Sequence, residues 1–68
     1  MNKYVYIMVL QGMYVDNKWD DILWEYDNTD GLKEMHSQLK TYRENEMGIA
    51  HRVIRRRVLT EEFNQGRW

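Results

Sequence analysis

Tyr4-Val5-Tyr6-Ile7-Met8-Val9-Leu10-Gln11 is the stretch whose reading decides the fold. In a strand, successive side chains point to opposite faces, so Val5, Ile7 and Val9 share one face and Tyr4, Tyr6, Met8 and Leu10 the other. Both faces are apolar, the mark of a central strand covered on both sides. The pattern predicts a first strand over residues 3–11, with Gly12 loosening the backbone after it. Asp16-Asn17 carries turn chemistry. Residues 20–26 then read as a second strand, in which Ile22, Trp24 and Tyr26 alternate with Asp21, Leu23 and Glu25. One side buried and the other wet describes an antiparallel edge strand.

Asp27-Asn28-Thr29-Asp30 signals a helix start, with any of the last three able to cap. The predicted helix covers residues 30–46. Its apolar stripe is Leu32, Met35, Leu39 and Tyr42, and Gly48 suits its C-terminal stop. A third strand is predicted over residues 50–60. Residues 61–68 read as a C-terminal tail, either pinned by Phe63 or Trp68 or fraying. The fold class is therefore α+β: one β-β-α-β domain over residues 1–60 plus the tail. The three-stranded antiparallel sheet has order 2-1-3, with the helix on one face. One helix covers one face, so the other face of the first strand is expected to lack cover within the monomer. That would favour self-association or partner binding.

At 68 residues the chain holds one domain, and a domain this small buries only about 60% of its unfolded surface. There is no cysteine, so neither a disulfide nor a thiolate metal site supports it. His36 and His51 have no second ligand at zinc-like spacing, and no metal or cofactor is expected. Asp16, Asp20 and Asp21 do not match a calcium loop. A dense aromatic core or a homodimer is the remaining source of stability. Met1-Asn2-Lys3-Tyr4 does not read as an export signal, and no apolar run is long enough to cross a membrane. The expected location is the cytoplasm, of a cell or of an infected cell.

Charge is unevenly placed. The net charge is −1, yet residues 1–34 carry 3 bases and 7 acids while residues 35–68 carry 7 bases and 4 acids. The basic half centres on Arg52-Val53-Ile54-Arg55-Arg56-Arg57, and the acids crowd residues 16–30. Strand alternation puts Arg55 and Arg57 on one face and Arg52 and Arg56 on the other. Such a split opposes a single flat basic face of the kind nucleic acid needs. Arginine stems laid over aromatics, or paired with the acids of the second strand, give the structural reading of the same residues. Tyr4, Tyr6, Tyr14, Trp19, Trp24 and Tyr26 suggest a base-stacking platform, but the strand bearing Trp24 and Tyr26 is acidic, and core packing or a protein interface accounts for them better.

Tyr4-Val5-Tyr6 leading to Gln11-Gly12 and Tyr14, then Trp19-Asp20-Asp21, then Tyr42-Arg43-Glu44-Asn45-Glu46, then His51-Arg52-Val53-Ile54-Arg55-Arg56, form a recurring ensemble. Over residues 4–57 the chain resembles small bacteriophage and prophage accessory proteins of unassigned role. The chain departs from that group at Lys18, where glycine often precedes the tryptophan, and at Met35, where alanine is common. The resemblance implies a phage origin and a compact α+β fold, and it implies no catalytic residue.

No catalytic set appears in the residues themselves. Ser37 and His36 are adjacent on a helix and do not face each other, and the glycines form no phosphate loop. The expected function is not enzymatic. It is binding and modulation of a host or phage protein, with anti-defence inhibitors of CRISPR or restriction machinery as one class. Arg52, Arg55, Arg56 and Arg57, with Trp19 and Trp24, are the candidate partner-binding residues. The alternatives are a nucleic-acid-binding module built on the same arginines and a homo-oligomeric structural protein.

Overall fold

The computed structural model describes residues 3–68, so the reading of Met1 and Asn2 lies outside the described residues. Five elements follow in order: β1 (Tyr4–Val15), β2 (Lys18–Tyr26), α1 (Thr29–Asn45), β3 (Ala50–Leu59) and α2 (Thr60–Asn64). The strands form one antiparallel sheet of order β2-β1-β3, with the apolar strand in the centre. β1 runs past its predicted end. Gly12 is buried inside it rather than closing it, and Asp16 and Asn17 make the two-residue turn with Asn17 at φ 64°. Asparagine tolerates that left-handed conformation better than most residues.

The β1–β3 ladder is continuous from Tyr4↔Leu59 to Met13↔Ala50. The β1–β2 ladder slips between Leu10 and Gln11 and again between Gly12 and Val15. The first slip changes the predicted alternation in β2. Val9 pairs with Trp24 and Gln11 with Asp21, so Asp21 and Trp24 share a face although only two residues, Ile22 and Leu23, lie between them. Ile22 and Leu23 both pack toward the other face. A bulge has this effect because one extra residue reverses the parity beyond it.

α1 settles which face of β1 it covers. Met35, fully buried, packs with Met8 and Leu10, and Leu39, Tyr42, Ile22, Leu23 and Val53 surround that cluster. Leu32 departs from the predicted stripe and is 46% exposed. Asn28 caps the helix, its Oδ1 accepting the Gly31 N–H at 2.7 Å, and Asp30 lies in the first turn. Gly31 is buried where the helix start meets the end of β2. A Cβ there would lie 1.9 Å from the Tyr26 carbonyl oxygen.

The expectation that the opposite face lacks cover within the monomer is corrected by the structure: the C-terminal residues cover part of it. β3 turns directly into α2, and Phe63 packs against Ile7, Val9 and Val58. Trp24 stands edge-on to Tyr26, Phe63 and Trp68 at 5.1–5.3 Å between ring centroids. Of the two alternatives for the tail, pinned or frayed, the pinned one holds, and it covers part of this face from within the chain.

Neither face is covered along its whole length, and element lengths explain why. Twelve strand residues in β1 span about 40 Å, whereas seventeen helical residues in α1 span about 25 Å. α1 runs from the Tyr26 end of the sheet toward Tyr14 and leaves the Tyr4–Tyr6 end of its face bare. α2 covers the Val58 end of the other face and leaves the Trp19 end bare. The molecule is accordingly a thin plate with extents of 42 × 26 × 15 Å. No helix among the described residues is long and apolar enough to cross a membrane.

Candidate partner-binding surface

The four arginines of β3 lie where the helices do not. The continuous register puts Arg55 and Arg57 on the α1 face, opposite Met8 and Tyr6, and Arg52 and Arg56 on the α2 face, opposite Gln11 and Ile7. The alternation expected from the sequence is thus the one observed. On the bare end of the α1 face, the Arg57 guanidinium sits 4.4 Å from the Tyr4 ring centroid and Arg55 4.4 Å from that of Tyr6. Lys3 approaches the Tyr4 ring at 5.7 Å. On the bare end of the α2 face, Arg52 lies 4.1 Å from the Trp19 ring centroid. A guanidinium over an aromatic face gains the attraction of the ring quadrupole and shields the apolar ring beneath it.

Two of these charges are neutralised inside the chain. Arg56 grips Asp21 with two hydrogen bonds, Nη1 to Oδ2 at 2.7 Å and Nη2 to Oδ1 at 3.1 Å. The pair joins the two edge strands across β1, and the register sets Val9 between them. Asp21 Oδ1 also accepts from Gln11 Nε2 at 2.8 Å, and Gln11 Oε1 accepts from Arg52 Nε at 2.8 Å. Buried Gln11 is thereby satisfied at both ends of its amide. Arg55 Nε donates to Asp27 Oδ2 at 2.6 Å. Arg52 and Arg57 are exposed and have no carboxylate partner among the described residues.

The hydrogen bond from Arg56, then that from Gln11, holds the Asp21 carboxyl below its ordinary 3.8, and Asp21 in turn raises Arg56. A depressed carboxylate stabilises the fold above its unfolded value, and the contribution is lost as pH falls through the folded value. Asp21→Asn is therefore expected to melt at lower temperature than the wild type near neutral pH. The two curves should converge only in acid, as pH falls from the ordinary carboxylate value of 3.8 through the depressed folded value of Asp21. Melting temperature against pH for the two chains checks this. A gap that stays constant into acid would contradict it.

A second polar cluster ties three elements together at the far end of α1. Glu46 Oε1 accepts the Tyr14 hydroxyl at 2.7 Å and lies 2.9 Å from His51 Nε2. Both bonds hold the Glu46 carboxyl below its usual range, Tyr14's first, and the Tyr14 hydroxyl is pushed up to about 12, chiefly by Glu46. With Glu46 ionised, His51 Nε2–H is the donor of that contact. The buried Nδ1 has no hydrogen-bond partner among the described residues. Tyr14 comes from the end of β1, Glu46 caps α1 and His51 begins β3, so the cluster closes the far end of the sheet. A recess of about 330 Å³ lined by Gln38, Thr41, Tyr42, Asn45 and Glu46 opens beside it. The three groups are bound to one another, and none is presented as a free nucleophile or base.

Of the residues singled out by sequence, Arg52 and Trp19 come together and Arg57 stands at the opposite end of β3. Arg55 and Arg56 serve the sheet, and Trp24 sits among rings in the apolar cluster. Tyr4, the ring that carries Arg57, and Gln11, the bridge between Asp21 and Arg52, are additions to that set. Their only sequence signal is strand parity: Gln11 faces Arg52 directly across the ladder, and Tyr4, opposite Leu59, shares the face of Arg57 diagonally across it. No family model, curated protein or solved structure matches the chain.

Proposed function

We propose that the chain is a non-enzymatic binding module that engages a partner protein through Arg52 and Arg57, the two β3 arginines without a carboxylate partner among the described residues. One observation supports this above the others: each is exposed, oriented on an aromatic ring, and without an internal counterion. A cation already held on a ring loses less side-chain freedom on binding. Arg, Trp and Tyr are also the residues that dominate binding hot spots. Within this reading, the phage resemblance favours an accessory role in which a host or phage protein is modulated, and an anti-defence inhibitor is the finer form of the proposal.

The two alternatives draw less support. A phosphate backbone tracks charge along one surface, and Arg52 and Arg57 occupy opposite faces of the sheet. Edge-to-edge pairing of copies would use the opposite charges of β2 and β3, but Arg56–Asp21 and Arg55–Asp27 spend those charges within one chain. Capture from bacterial lysate with the tagged chain, with and without nuclease, tests the choice. A discrete protein recovered in both conditions is the expected result. Recovery that disappears with nuclease would overturn the reading in favour of nucleic acid.

A further inference from the structure

β3 is an edge strand whose outer side is open. Among the described residues it pairs only with β1, and no register shift interrupts it over ten residues. The Thr60 N–H donates to the Lys3 carbonyl at 2.9 Å, which fixes the parity of the ladder. Main-chain groups of Ala50, Arg52, Ile54, Arg56 and Val58 therefore turn inward to β1, and those of His51, Val53, Arg55 and Arg57 turn outward. Neither helix covers this row. α1 packs on one face of the sheet, and α2 crosses the other face toward Trp24 and Tyr26 on β2. The other edge is different in kind: the β1–β2 ladder shifts register twice, with the extra residue of the first shift on β2, and such irregularity twists and interrupts an edge.

We infer that the outer edge of β3 accepts an extended, acidic segment of the partner as a fourth strand. This rests on the reading that Arg52 and Arg57 contact a partner. The two stand on opposite faces of one edge strand, so a single continuous partner surface reaches both only by covering that edge. Strand addition does so while supplying hydrogen bonds to the outward main-chain groups. Charge selects the occupant. β3 carries four arginines against the two carboxylates that Asp21 and Asp27 bring to it, and an added strand lies about 4.8 Å away, inside the screening length of physiological salt. A second copy of β3 would bring four more arginines to the same place, so the charge that disfavours self-pairing favours an acidic strand.

The test uses the full chain and three labelled peptides of about eight residues, the length of an ordinary strand. One alternates Glu and Val, one alternates Lys and Val, and one is the Glu-Val peptide N-methylated on alternate residues. Affinity is read by fluorescence anisotropy and amide protection by hydrogen exchange. The Glu-Val peptide is expected to bind at least tenfold tighter than the other two. It should slow exchange at Val53, Arg55 and Arg57, with little change at Arg52, Ile54 and Arg56, which β1 already protects. Charge-dependent binding that ignores N-methylation and leaves those three amides unprotected would overturn strand addition while leaving the arginine surface standing. No binding by any of the peptides, or self-association through β3 at the same concentration, would overturn the acidic-strand assignment. A tagged-chain capture lost on reversing Arg52 and Arg57 would then still support the parent reading.

Discussion

Gly31→Ala is expected to lower the melting temperature by about 10–20 °C, although alanine is the better helix former. In an open helix the change would stabilise by about 1 kcal/mol. Here the new Cβ would lie 1.9 Å from the Tyr26 carbonyl oxygen and 2.9 Å from its carbon. Both are backbone atoms at the end of β2, so no side-chain rotation relieves the overlap. The same carbonyl accepts the Asn28 N–H at 2.9 Å, and Asn28 in turn caps Gly31. Moving the helix start away breaks the turn and the cap together. Overpacking costs about 1–3 kcal/mol and a lost cap about 1 kcal/mol, which together exceed the gain in propensity. In a domain of this size each 1 kcal/mol shifts melting by about 4–8 °C. Total stability for such a length is on the order of 3–10 kcal/mol, so one methyl group removes a large share of it. Thermal unfolding followed by circular dichroism checks the expectation. A melting temperature equal to or above that of the wild type would contradict the close approach of α1 to β2.

The position of that glycine illustrates what sequence could not convey. β1 as the central strand, the helix over most of its length and the order β2-β1-β3 are legible because each rests on periodicity or on a turn signal. The face assignment of the arginines is legible for the same reason, since an uninterrupted strand keeps strict alternation. Three things are not. A close backbone approach such as Gly31 to Tyr26 depends on the angle between two elements, and a glycine in a helix's first turn carries no mark of it. The bulge after Leu10 shifts Asp21 to the face of Trp24, and nothing in Asp20-Asp21-Ile22-Leu23 announces the extra residue. α2 has five residues and a single large apolar side chain, Phe63, too little for any period to register. These gaps share a consequence. Arg56 is committed because the bulge presents Asp21 to it, and Arg55 because Asp27 stands within its reach, so four equivalent arginines in sequence become two ion-paired and two without a counterion in the fold.

Reversing the two without a counterion is the second large expected effect. Arg52→Glu with Arg57→Glu should weaken partner binding by at least about 100-fold, as hot-spot residues cost about 2 kcal/mol or more each and 1.4 kcal/mol is tenfold. The fold should tolerate the change. Both side chains are exposed, neither has a carboxylate partner among the described residues, and Gln11 keeps its bond to Asp21. Arg57 gives up its contact with Tyr4 and Arg52 its contact with Trp19, at about 1 kcal/mol each. Loss of the Arg52 donor leaves the buried Gln11 Oε1 unpaired at about 1–3 kcal/mol, so the variant should fold but melt below the wild type. Reversal of Arg55 and Arg56 instead would strand Asp27 and Asp21 beside new carboxylates and unsettle the sheet, so loss of binding in that variant would carry no information about the partner surface.

The measurement that bears most directly on the binding surface is therefore the affinity of the captured partner for the wild-type chain and for the Arg52→Glu, Arg57→Glu chain, taken by calorimetry at one salt concentration with melting temperatures recorded alongside. Cooperative melting, lowered by the lost Gln11 and ring contacts, with binding weakened about 100-fold or more at a temperature where both chains are folded, is the expected result. Equal affinity in two equally folded chains would contradict the assignment of Arg52 and Arg57 as the partner contacts.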